Sequence, residues 1–300
     1  MYMIELKNVK MSFEDFNALD GVDIAIEKGT AFGLLGSNGA GKSTILRLIT
    51  GVYEPAEGEV LVDGEPVFDN VSAKQKVFFI NDETVQFGAM TLLDMKNYYK
   101  GFYPNFSEEI FNKLNSAIKL PEKKRLDKFS KGMKRQAVVI TGLACCTDYL
   151  LLDEAFDGLD PTMRGIVKRM LVDAMLDRQL TTVISSHNLK EINEVCDTAA
   201  LLHQGKLLFN SEIDKVKSGI HKVQAAFGVE CTEKDFDTPD VLHYERNQSI
   251  TYLIIKGSEE EIRRKLADKS PIVLDIIPLT LEEVFIYEME GMGYDFKGIE

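Results

Sequence analysis

Nine consecutive residues, Gly36-Ser37-Asn38-Gly39-Ala40-Gly41-Lys42-Ser43-Thr44, combine three glycines, a lysine and three hydroxyls. Glycines let a chain turn tightly and bring backbone N–H groups against phosphate oxygens. At this spacing Lys42 is placed to reach the β- and γ-phosphates of a nucleotide, and the Ser43 hydroxyl to ligate Mg²⁺. A second set lies at Leu150-Leu151-Leu152-Asp153-Glu154, an apolar run that ends in two carboxylates. Such a run by itself usually just ends a strand. Beside a phosphate loop it supplies what that loop lacks: Asp153 to hold Mg²⁺ directly or through water, and Glu154 to polarise an attacking water. Ser130-Lys131-Gly132 opens a helix and has two readings. The serine caps free N–H groups, or the hydroxyl and helix start form a second anion site. Residue chemistry alone leaves the two even. His187 follows a β-branched run, Thr181–Ser185, and taken alone reads as a loop residue.

The elements around these residues are those the chemistry needs. The apolar run 31–35 enters the glycine loop and the helix formers 45–49 leave it, so the order is strand, loop, helix. The helix thus presents its positive dipole end to the anion. Before it, Met3–Val9 and Ala18–Ile26 alternate and read as an antiparallel pair of strands, with Met11–Phe16 as a turn carrying Phe13 and Phe16. Asp63-Gly64 signals a hairpin, Lys76–Asn81 a short buried strand, and 82–90 a loop. Helices are expected at Thr91–Tyr103, Ser107–Ile118, Met133–Cys145, Met163–Asp177 and Leu189–Val195, with 128–132 as a basic loop. Gln204-Gly205 marks another hairpin. After Asn210 strands alternate with the helical patterns Glu259–Ala267 and Leu281–Glu290, a small α+β unit. Domains are therefore expected at 1–210 and 211–300, with a helical insertion at about 84–145 in the first.

The 300 residues are 45% hydrophobic and 28% charged, ordinary for a globular chain with a sizeable core. A net charge of −13 argues against nucleic acid, which attracts lysine and arginine stripes. No run reaches the ~18 apolar residues of a membrane span, and no secretory segment opens the chain. Cys145, Cys146, Cys196 and Cys231 form no C-x-x-C pair, and a reducing cytoplasm fits them. His203, His221 and His243 show no ligand spacing and read as structural. Tyr98, Tyr99, Phe102 and Tyr103 read as packing, with a docking surface as the lesser alternative.

Together these residues resemble the nucleotide-binding subunit of ATP-binding-cassette (ABC) transporters, over about Met3 to Phe209. In that resemblance, 36–44 is the Walker A loop and 150–154 is Walker B with its catalytic glutamate. Phe129-Ser130-Lys131-Gly132-Met133 stands at the signature, Asp157–Asp160 at the D-loop, and His187 at the switch histidine. Phe13 falls where an aromatic stacks on adenine, and Asp82 where a metal-contacting glutamine is usual. Three places depart from the family: the signature, with Lys131 and Met133; Asp82, which can ligate Mg²⁺ but lacks an amide donor; and Ala155. Ala155 replaces a proline with little expected effect.

The resemblance implies a P-loop α/β core with an antiparallel β subdomain, and ATP with Mg²⁺ as ligands. It also implies two nucleotide-binding subunits, alike or different, closing head to tail with Ser130 and Gly132 over the partner's nucleotide. A separate transmembrane permease subunit would hold the pair on the inner face of the cell membrane. The rival function is a cassette ATPase acting on ribosomes or DNA. Known examples of that type resemble tandem cassettes or carry long coiled-coil inserts, which this chain lacks.

Overall fold

The computed structural model describes residues 2–14, 16–81, 88–154, 156–228, 231–236 and 238–291. The chain divides into two compact units, Met1–Asn210 and Ser211–Glu300.

The first unit opens with β1 (Tyr2–Phe13) and β2 (Phe16–Glu27), then β3 (Ala31–Leu35) and α1 (Lys42–Ile49). Next come β4 (Glu57–Val62), β5 (Glu65–Pro66), α2 (Val71–Gln75) and β6 (Val77–Ile80). Three helices follow, α3 (Leu92–Phe102), α4 (Glu108–Ile118) and α5 (Lys131–Ala144). The unit continues through β7 (Tyr149–Asp153), α6 (Pro161–Arg178), β8 (Thr181–Ser186), α7 (Leu189–Val195) and β9 (Thr198–His203) to β10 (Lys206–Glu212).

β2-β1-β4-β5 is an antiparallel sheet, and β10-β9-β3-β8-β7-β6 is the central sheet, parallel from β9 to β6. Every residue of β3, β7 and β8 is buried. Strands covered on both faces need no polar alternation, which is why they read as plain apolar or β-branched runs. α1 inserts Ile45, Leu46, Leu48 and Ile49 into one core with Ile4 and Leu6 of the antiparallel sheet and Phe32, Leu151 and Val183 of the parallel one. Parallel sheets bind ligands beyond the carboxyl ends of their strands. β3, β8 and β7 are neighbours, with Leu35 opposite Ser186 and Ser185 opposite Asp153. The residues just past those three ends are therefore forced together.

α5 lies close to β6, and a Cβ at Gly142 would meet the Phe78 ring at 2.7 Å. Tyr99 and Tyr103 pack on that ring too, at 5.2 and 5.4 Å between centroids. Tyr98 and Phe102 stay exposed, so the four aromatics divide between packing and surface.

Two expectations are corrected. Met11–Phe16 is not a turn throughout: β1 runs to Phe13 and pairs it with Phe16. The basic loop at 128–132 ends sooner, because Ser130 caps α5 and draws Lys131 and Gly132 into its first turn. α2 and α8 (Ile213–Ser218) are too short for a periodic pattern and were not legible in the sequence.

In the second unit β11 (Ile220–Phe227), β12 (Val241–Asn247), β13 (Ile250–Lys256) and β14 (Pro271–Pro278) form an antiparallel sheet ordered β12-β13-β11-β14. α9 (Glu259–Ala267) covers Val223, Leu253 and Ile255 with Ile262 and Leu266. Val284 of α10 (Leu281–Gly291) packs with Ile220 and Ile254.

Candidate nucleotide site

The glycine loop leaves β3 through Gly36 at φ 150°, where a Cβ would sit 2.4 Å from the Leu202 carbonyl oxygen. α1 then starts at Lys42, and no side chain caps its free N–H groups. Uncapped N–H groups at a helix start suit an anion. Lys42 is 6% exposed and folds over its own loop, donating to the carbonyls of Gly36 (2.7 Å) and Ser37 (3.2 Å). Burial lowers its pKa, with Glu154 and then Asp153 opposing the shift.

A cavity of about 320 Å³ opens here, within the ~300–1,000 Å³ range of small-molecule sites. Residues 38–44 form its floor, Phe13, Phe16 and Ala18 one side, and Glu154 another. Phe13 is held edge-on by Tyr53, with centroids 5.3 Å apart. Phe16 is the more exposed ring, at 57% against 37%. Its place on the cavity wall is not legible in the sequence, where Phe16 reads only as the end of a turn.

Asp153 is 1% exposed. One carboxylate oxygen accepts from the Ser185 hydroxyl, and the other, Oδ2, is buried with no hydrogen-bond partner among the described residues. A carboxylate oxygen left over in this way suits a hard cation that takes oxygen ligands, and Ser43 lines the cavity to which the neighbouring Glu154 also belongs.

Glu154 Oε2 lies 3.0 Å from His187 Nδ1, and Oε1 lies 3.8 Å from Lys42 Nζ. Burial raises the Glu154 pKa, and His187 and Lys42 oppose that rise in turn. The Asp157 carboxylate lies within 4.8 Å of the Glu154 and His187 ligand atoms. His187 owes its place to the turn after β8. Ser186 Oγ donates to Glu191 (2.9 Å) and accepts from the Asn188 N–H (3.0 Å), while Arg164 pairs with Glu191 at 2.8 Å. Glu191 is 5% exposed. Its role was hidden in the sequence because it reads as one more acidic residue on a helix.

The signature residues lie apart from this cavity. Ser130 is exposed and its Oγ accepts from the Met133 N–H at 3.2 Å, as an N-cap does. A Cβ at Gly132 would lie 3.2 Å from the Gly158 carbonyl oxygen. Neither Ser130 nor Gly132 lines the loop cavity. Asp82 and Ala155 lie outside the described residues. His221 is structural in its surroundings, its Nδ1 3.1 Å from the Gly257 carbonyl oxygen.

Residues 19–157 match the family model for the ABC transporter. The ABC transporter ATP-binding protein YtrB of Bacillus subtilis (strain 168) is 31% identical over 298 residues, covering 96% of this chain and 99% of that protein. The chain belongs to the ATP-binding proteins of ABC transporters. As a member of that family it binds and hydrolyses ATP as the nucleotide-binding subunit of a transporter. The solved ATP-binding subunit of an ABC transporter has the same fold over 96% of this chain and 99% of its own, with TM-score 0.68 at 20% identity. A dimeric bacterial ABC transporter cassette matches 70% of this chain and 98% of its own, with TM-score 0.63 at 21% identity. The likeness to the first of these runs through the second unit, so the cassette and its C-terminal unit occur together in another ABC subunit.

Proposed function

We propose that Glu154 is the general base of ATP hydrolysis in this ABC subunit, and that two chains close head to tail over two nucleotides. The contact of Glu154 with His187 and Lys42 at the rim of the glycine loop carries the first part. Burial makes the carboxylate more basic than an exposed one, which favours taking a proton from water near neutral pH. His187 occupies Oε2 and orients the group, leaving Oε1 to receive the proton. Lys42 donates to two neutral carbonyls with the Glu154 carboxylate beyond them at 3.8 Å, and phosphate oxygens offer it charged acceptors at hydrogen-bond distance. Phe13 provides a ring face for the base. Asp153 and Ser43 would hold Mg²⁺, which supplies positive charge to the β- and γ-phosphate oxygens when bound.

The dimer reading is supported by what the cavity leaves open. The cavity of one chain would enclose only the inner face of a triphosphate, and Ser130 and Gly132 do not line it. A second chain would bring its serine hydroxyl and helix start to the outer face of the γ-phosphate. The exposed Tyr98 and Phe102, with ring centroids 4.9 Å apart, offer an apolar patch to a separate membrane subunit. Among the described residues no helix is long and apolar enough to cross a membrane. That suits a peripheral subunit on the inner face of the cell membrane.

The test is steady-state ATPase of Glu154→Gln. Turnover should fall by ~10²–10⁴-fold, the usual worth of a general base, while ATP still binds. Wild-type turnover at saturating ATP would overturn the assignment.

A further inference from the structure

Glu154 carries its carboxylate on a left-handed backbone, with φ at 46°. A non-glycine residue keeps that conformation only where its surroundings hold it. Here both flanking peptide groups are held. The Glu154 N–H donates to the Ser185 carbonyl and hydroxyl, each at 3.2 Å. The Glu154 carbonyl accepts from Arg135 Nη2 at 3.4 Å. The other arm of the same guanidinium, Nη1, donates to the Asn81 carbonyl.

Arg135 is 8% exposed and lies on α5, the helix that Ser130 caps. Asn81 follows β6 and Glu154 follows β7, and these strands are parallel neighbours with Ile80 opposite Leu152. One guanidinium therefore ties the carboxyl ends of two adjacent strands to the signature helix. We infer that Arg135 is a positioning residue for ATP hydrolysis. It fixes the left-handed turn of Glu154 so that the carboxylate faces the loop cavity, and makes that geometry depend on where α5 sits. The planar fork is essential, because its two arms reach two carbonyls at once. A lysine ammonium is a single point donor on a flexible stem and cannot reproduce the span.

The inference rests on Glu154 being the base, and the experiment separates the two. Full-length Arg135→Lys, Arg135→Gln and Glu154→Gln are compared with wild type for kcat, KM for ATP and thermal midpoint. Arg135→Lys should lose about tenfold or more in kcat, since small misplacement of a reacting group is costly. Its KM should stay within about twofold, because nothing in the binding floor has changed. Arg135→Ala should recover turnover with millimolar methylguanidinium and not with methylammonium, a response that general destabilisation would not give. If Arg135→Ala does not fold, the kcat-against-KM split of the lysine and glutamine variants decides. A folded Arg135→Lys with wild-type kcat while Glu154→Gln is inactive would overturn this inference alone. Wild-type turnover by Glu154→Gln would overturn the base assignment beneath it.

Discussion

A carboxylate that takes a proton from water must be ionised before it acts, and its surroundings set the pH at which that holds. Burial of Glu154 pushes its pKa above the ordinary value, and the His187 contact is the foremost influence pulling it back. The acid limb of the kcat–pH profile should therefore lie above the usual carboxylate range. His187→Ala removes a group that stabilises the anion, so the limb should move to higher pH while the plateau falls. A shift to lower pH would show that His187 does not stabilise the charged form. The adenine side is separately testable. Phe13→Ala should weaken ATP binding by roughly 0.5–1.5 kcal/mol, about two- to tenfold in Kd. It should leave binding of inorganic triphosphate unchanged, because the phosphate floor of residues 38–44 is intact. Equal losses for both ligands would place Phe13 away from the base.

At the scale of the element, α5 gives Ser130 two duties that one substitution can separate. Its Oγ caps the helix by accepting from the Met133 N–H. Aspartate caps about as well as serine, whereas alanine costs ~1 kcal/mol. Ser130→Asp should therefore keep the wild-type thermal midpoint and Ser130→Ala should lower it slightly. If Ser130 meets the γ-phosphate of a second chain, the added carboxylate repels it. Ser130→Asp in the Glu154→Gln background should then fail to dimerise with ATP by light scattering, although it folds. An ATP-dependent dimer that persists in Ser130→Asp would mean that the cap is the only role of Ser130. The signature helix was legible because Ser130 precedes a run of helix formers. Its start has two readings in the sequence, a basic loop to Gly132 or a cap at Ser130, and the structure has the cap.

For the whole molecule, the site residues from Phe13 to His187 all precede Asn210, and the second unit has its own core around Val223, Leu253 and Ile262. A chain ending at Asn210 should remain soluble and bind ATP with unchanged affinity by isothermal titration calorimetry. A folded truncation that no longer binds nucleotide would show that residues 211–300 complete the site.

Residues close together along the chain could be read without the fold. The loop 36–44 and the pair Asp153-Glu154 announce their chemistry because consecutive backbone groups and a strand end determine where they point. The alternating and apolar runs likewise specify a covered parallel sheet and a two-sided antiparallel one. Tertiary structure alone decided which distant residues meet. β3, β8 and β7 lie side by side, so His187 reaches Glu154 across 33 positions of sequence. Arg135 reaches the Glu154 carbonyl across 19 positions, and Ser185 holds its N–H across 31. No local pattern encodes these contacts. They arise from strand order and from the close approach of α5 to β6, which many residues far along the chain determine together.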